Sequence, residues 1–276
     1  MDAADVMVLG AGYVGGVVAR RARARGLRVV ATVRREERAE GLRRDEVGIV
    51  VAEVLRGEDV AAFVGERTLV VVAFPPDGES DARVAAGVAR ARAIAYVSST
   101  GVYGARRGTI DDATPVEAPA GPRAARVLAA EEVWRGMGAT VLRCPAIYGP
   151  ERGLHRRIVR GEHRIAGDGS AFTSRIHVDD LAALLLAIRD ADARVVRGAT
   201  FVVGDAAPAT QREIAEWVAR EYDVPYPPHV PAEEVHETLR ADRRVDGSRA
   251  LAVLGVTLAY PHYRDGMKRT LDRAPP

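Results

Sequence analysis

Short unbroken apolar runs alternate along this chain with longer stretches in which apolar residues recur every three or four positions. The runs lie at 6–9, 29–33, 47–51, 69–74, 94–97, 140–142 and 200–203. Runs of this length, rich in valine, predict strands covered on both faces, which is the signature of a parallel sheet. Behind the first run, Val14, Val17 and Val18 repeat at helical spacing. The rhythm predicts an α/β fold, a doubly wound parallel sheet with helices on both faces. After Pro150 the alternation lapses, and Pro225, Pro227, Pro228 and Pro231 exclude a long helix over 223–231. The predicted organisation is a sheet domain over 1–150, with 176–221 returning to it, and a small C-terminal lobe from about 151–175 and 222–276.

Sites in such sheets lie beyond the carboxyl ends of the strands, so the loops that follow the runs carry the candidate chemistry. The first loop reads Gly10-Ala11-Gly12-Tyr13-Val14-Gly15, a G-x-G-x-x-G turn between a strand and a helix. Its glycines permit close backbone approach, and the free N–H groups of the helix start suit a pyrophosphate. This loop predicts a nicotinamide dinucleotide site. Phe74 and Pro75, Ser98, and Pro145 follow later strands and complete the predicted cofactor crevice. The second run ends in Arg34-Arg35, where two guanidiniums suit a 2′-phosphate; NADP(H) is therefore the preferred cofactor, with NAD(H) second. The competing reading is that both arginines are solvated and pair with Glu36 and Glu37.

Bulk properties narrow the function further. In 276 residues, 40 basic and 38 acidic side chains leave a net charge of +2, which gives no nucleic-acid footprint and favours a small-molecule partner. No apolar run approaches a membrane span, and the acidic start Asp2–Asp5 is unlike a secretory signal, so a cytoplasmic protein is expected. Cys144 is the single cysteine. It and His155, His163, His177, His229 and His236 lack metal-ligand spacing, so no metal site is expected. Arg152, Arg156, Arg160 and Arg164 are spaced by four, as a charged face or as a holder for an anionic substrate. Asp111, Asp112, Glu131 and Glu132 read as surface carboxylates, and Asp179 or Asp180 as the cap of the apolar helix that follows.

Three longer segments carry a family resemblance. They are Tyr96-Val97-Ser98-Ser99-Thr100-Gly101-Val102-Tyr103-Gly104, then Leu142-Arg143-Cys144-Pro145-Ala146-Ile147-Tyr148-Gly149-Pro150, then Arg175-Ile176-His177-Val178-Asp179-Asp180. In this order they resemble the extended short-chain dehydrogenases, the NAD(P)-dependent epimerase/dehydratase group. The tail from Arg243 to Arg249 with Leu254-Gly255 is similar to a bacterial nucleoside-diphosphate-sugar epimerase-like branch. The resemblance implies a Rossmann domain, a substrate lobe, a homodimer through helices near 84–91 and 126–134, and a Ser at position 99 beside a Tyr-x-x-x-Lys pair. That pair is missing. Aligned on Glu131, the Tyr position holds Arg123 and the Lys position Val127, and Lys268 is the only lysine in the chain. Arginine stays protonated and is no general base.

Three readings follow. A different phenol, Tyr103 or Tyr148, replaces the tyrosine; or Ser99 and Thr100 alone donate hydrogen bonds to a developing oxyanion; or the protein binds its nucleotide without turnover, as a sensor of the NmrA-like type. The expected function is an NADP(H)-dependent oxidoreductase or epimerase/dehydratase-like enzyme for a small polar metabolite. Arg123, Arg156, Arg175 and His177 are its expected substrate contacts.

Overall fold

A computed structural model describes residues 3–117, 119, 121–236 and 239–272. Seven parallel strands form the central sheet: β1 (Val6–Leu9), β2 (Val29–Val33), β3 (Gly48–Val51), β4 (Leu69–Val72), β5 (Ala93–Ser99), β6 (Thr140–Cys144) and β7 (Thr200–Val202). Their order is β7-β6-β5-β4-β1-β2-β3. The chain moves outward from β1 in one direction through β2 and β3, then returns to the other side through β4, β5, β6 and β7. The reversal between β1 and β4 opens a crevice at their carboxyl ends.

Both sheet faces are covered, which is why the strands are apolar throughout. Val6 and Val8 of β1 face one core with Val18, Ala19 and Ala22 of helix α1 (Tyr13–Ala24) and with Leu181, Leu184 and Leu185 of a second helix, Val178–Ala187. Met7 and Leu9 face the other core, with Tyr96, Val84 and Trp134. Trp134 belongs to helix α2 (Pro122–Gly136), and its indole N–H donates to Asp81 Oδ1 at 2.7 Å.

The expected cap of Val178–Ala187 is corrected. His177 caps it, its Nδ1 accepting from the Asp179 N–H at 3.2 Å. Asp180 is buried and accepts from the N–H groups of Ala259 and Tyr260, while Asp179 pairs with Arg21 at 2.9 Å.

A separate core gathers Tyr148, Ile158, Ile165, Ile214, Trp217, Val218, Tyr263 and Met267. Helix Gln211–Glu221 supplies Ile214, Trp217 and Val218 and so packs in this lobe, although its sequence position left it with the sheet. Between Gly153 and Gly161, both at positive φ, the arginine-rich stretch forms only the short helix Leu154–Val159.

Candidate active site

The glycine loop has a distinct geometry at each of its three fingerprint positions. Gly10 adopts φ +90°, and a Cβ there would lie 2.8 Å from both Cβ and N of Phe74. Phe74 follows β4, so this contact closes the crevice between β1 and β4. A Cβ on Gly15 would collide with the Gly10 carbonyl and Val8, so Gly15 lets α1 sit close against β1. Gly12 has nothing within 4 Å of its Cβ direction. No side chain caps α1, and no acidic residue occupies its first turn. The loop is held from below, where the N–H groups of Gly10 and Ala11 donate to Oγ1 and O of Thr32, each at 2.8 Å. Val14 is buried under the turn, and Tyr13 continues it with its hydroxyl against Gly149. This arrangement fits a dinucleotide: open backbone faces the crevice, and the packed glycines lie behind it.

Arg34 and Arg35 are exposed beyond β2. Glu36 pairs with Arg43, and among the described residues neither Glu36 nor Glu37 pairs with Arg34 or Arg35. Pro75 is exposed beside Phe74, and Pro145 is half-buried after β6.

Ser98 and Ser99 point to opposite sides of β5. Ser98, expected at the cofactor, is buried and donates its hydroxyl to Glu131 Oε1 at 2.5 Å. Glu131 was expected on the surface, but α2 turns it fully inward, at 0% exposure. Arg143 of β6 donates to it through Nε (3.0 Å to Oε1) and Nη2 (2.8 Å to Oε2), and Arg135 Nη2 donates to Oε2 at 2.5 Å. The remaining Arg143 fork donates to the Tyr103 hydroxyl at 3.0 Å. Tyr103 is thus a buried member of a charged network joining β5, β6 and α2. Asp112, also expected on the surface, pairs with Arg249 at 2.9 Å and accepts from the Val202 N–H.

Ser99 opens into a cleft of about 440 Å³. Its Oγ accepts from the Gly101 N–H at 3.0 Å. Arg123 and Val127 of α2, the residues that align with the Tyr and Lys of the family resemblance, line the same cleft. Arg107, Arg240, Asp242 and Arg243 line it as well. Arg243 Nη1 donates to the carbonyls of Thr100 (2.9 Å) and Gly104 (3.2 Å), and Arg240 donates to those of Glu233 (2.8 Å) and Val235 (2.9 Å). Asp242 Oδ1 accepts from the Phe172 N–H at 2.9 Å. Sequence reading missed Arg107, Arg240, Asp242 and Arg243. What brings them here is a parallel pairing of Arg243–Val245 with Gly108–Ile110.

Tyr148, Arg175 and His177 do not line this cleft. Tyr148 is 2% exposed in the lobe core, its hydroxyl pressed against Gly266, and burial pushes its phenol far up. The His177 ring lies 3.8 Å from that of Tyr260 and 5.1 Å from that of Tyr148. Arg175 is buried over the Tyr263 ring, 3.9 Å from Asp205, whose carboxyl burial pushes up to about 7. Arg156 is half-buried in the lobe. Cys144, opposite Ser99 in the sheet register, is buried, and burial pushes its thiol up.

Among the described residues no helix is long and apolar enough to cross a membrane. A model of the NAD dependent epimerase/dehydratase family matches residues 6–204. Among proteins of curated function none matches the chain in sequence. Among solved structures, it is similar to a functionally unknown conserved protein from Silicibacter pomeroyi DSS, at 26% identity over 98% of both chains with a TM-score of 0.83. A UDP-glucuronic acid 4-epimerase from Bacillus cereus, in complex with NAD, shares the fold over 97% of each chain at 14% identity and a TM-score of 0.80. MoeE5 in complex with UDP-glucose and NAD does so over 97% of each chain at 22% identity and 0.76.

Proposed function

The chain belongs to the NAD dependent epimerase/dehydratase family, and from that premise we propose that it is an NADP(H)-dependent oxidoreductase or epimerase-like enzyme acting on a small polar metabolite in the cleft beside Ser99. The observation that carries this reading is the convergence of Ser99, Arg123 and Val127 on one cleft at the carboxyl end of β5. A bound nicotinamide would supply a hydride acceptor or donor. The glycine loop would hold the pyrophosphate on the open face at Gly12, with Arg34 and Arg35 on the 2′-phosphate.

Ser99 orients the reacting oxygen by a hydrogen bond; Thr100, expected beside it, is buried and outside the cleft lining, its carbonyl taken by Arg243. Arg123 takes no proton, so the proton goes to another group. Asp242 is the carboxylate of the cleft wall, and this favours it as acceptor over Tyr103, held by Arg143, and Tyr148, enclosed in the lobe. A cytoplasmic homodimer belongs to the same proposal, the exposed Ala125, Arg126 and Ala129 of α2 offering the surface. The missing dyad also favours a second reading, a nucleotide sensor without turnover.

Calorimetric titration with NADPH, NADP, NADH and NAD tests the shared premise. Selective NADP(H) binding is expected, and Arg34→Ala with Arg35→Ala should erase the selectivity while leaving NAD(H) binding in place. If none of the four nucleotides binds, both readings fall. A product found in a substrate screen eliminates the sensor.

A further inference from the structure

The charge of the cleft is out of keeping with the chain. The whole sequence is nearly balanced, at 40 basic to 38 acidic residues, yet the cleft lining holds four arginines against the one carboxylate of Asp242. The four are not equivalent. Arg240 and Arg243 direct their guanidiniums to backbone carbonyls and act as struts of the wall. Arg107 and Arg123 have neither an ion pair nor a side-chain hydrogen bond among the described residues. Some exposed arginines of this chain find carboxylates, as Arg20 meets Asp45 at 2.9 Å and Arg194 meets Asp192 at 2.7 Å, whereas others, such as Arg34 and Arg90, have no ion pair among the described residues; what sets Arg107 and Arg123 apart is that they share one cavity. Even next to the cleft, Arg106 takes Glu117 at 3.4 Å and leaves its neighbour Arg107 without a partner.

Arg107 and Arg123 line one cavity from different elements, the segment before Gly108 and the first turn of α2. Guanidiniums are planar forks suited to oxyanions, and they are weakly hydrated, so a partly enclosed cavity enhances their attraction for an anion.

We propose that Arg107 and Arg123 form an oxyanion clamp, and that the substrate carries a carboxylate or phosphate at the end that reaches Ser99. The inference rests on reading this cleft as the substrate site. It gives Arg123 a role at the position of the absent tyrosine: the side chain holds the substrate's charge and takes no part in moving its proton. Asp242 is anchored by the Phe172 N–H on the wall of the same cavity, so an anion bound there is met by net positive charge.

Arginine modification by phenylglyoxal, read residue by residue by mass spectrometry, tests the clamp on the full chain. The reagent is applied with phosphate, with acetate, and with chloride at equal ionic strength. At an anion concentration about nine times its Kd, both Arg107 and Arg123 should react about tenfold more slowly than in chloride. Arg126, exposed on α2 and outside the cleft lining, should react at an unchanged rate. Protection by phosphate identifies a phosphate-bearing substrate, and protection by acetate alone a carboxylate. In Arg123→Gln the protection of Arg107 should disappear, because the clamp needs both forks. If neither anion slows Arg107 and Arg123 more than Arg126, the proposal is overturned. The nucleotide titration is unaffected by that outcome, so the clamp and the cofactor premise fail separately.

Discussion

Removing the carboxylate of Glu131 should destabilise this protein more than any single change on the surface of its helices. Glu131 is wholly buried and accepts from Ser98, from two nitrogens of Arg143, and from Arg135. In Glu131→Gln an amide N–H₂ meets guanidinium donors, and the Arg143 charge, 7% exposed, is left without its anion. Breaking a buried pair in this way costs about 3–5 kcal/mol, a large part of a total stability of about 5–15 kcal/mol. Arg143→Met should cost a similar amount, because it leaves the carboxylate with Arg135 as its remaining cation. Removing both charges together, as Glu131→Leu with Arg143→Met, should cost less than either single change, since a buried pair and an apolar pair of like volume are often comparable. Urea unfolding followed by circular dichroism measures all three. The reasoning is refuted if the two single costs add within about 0.5 kcal/mol in the double variant. Arg123 lies about two turns before Glu131 on α2, so the singly substituted proteins should also bind anions in the cleft less tightly.

The glycine loop and the lobe histidine give two further expectations. Gly12→Ala should leave the unfolding midpoint nearly unchanged, since no atom lies near the new Cβ, yet lower nucleotide affinity by about a hundredfold or more through a blocked pyrophosphate; Gly15→Ala should lower both, and equal nucleotide binding by Gly12→Ala would remove the loop from the site. His163 is 1% exposed, its ring nitrogens have no hydrogen-bond partner among the described residues, and burial lowers its pKa to about 4. The unfolded chain takes up this proton near pH 6.5, so stability falls as pH drops from about 6.5 to about 4, by roughly 3 kcal/mol in all. His163→Leu should flatten that slope in pH-dependent denaturation, and an unchanged slope would assign the acid sensitivity to other groups.

What was legible in the sequence was local. The strand runs and the glycine turn are properties of neighbouring residues, and each stands where the pattern placed it. Glu131 was misread because it sits beside Glu132 in a helix of weak amphipathicity; the partners that draw it inward, Ser98 and Arg143, lie on two strands. Ser98 and Ser99 are adjacent in sequence yet face opposite ways, and only the register of β5 against β6 decides which one reaches the cleft. The cleft wall was invisible for a different reason. Arg243 meets Gly108 through a pairing of three residues, too short to leave an alternating pattern. Helix Gln211–Glu221 followed a sheet strand and was read with it, whereas its apolar stripe matches the lobe.

The sole thiol of the chain lies at the carboxyl end of β6, sealed from solvent and far from ionisation. A thiol reagent therefore finds nothing to react with until the central sheet itself comes apart, and its rate of consumption becomes a timekeeper for that opening. The chain carries its own stopwatch for unfolding, with no added label, and one that nucleotide binding in the crevice would visibly slow.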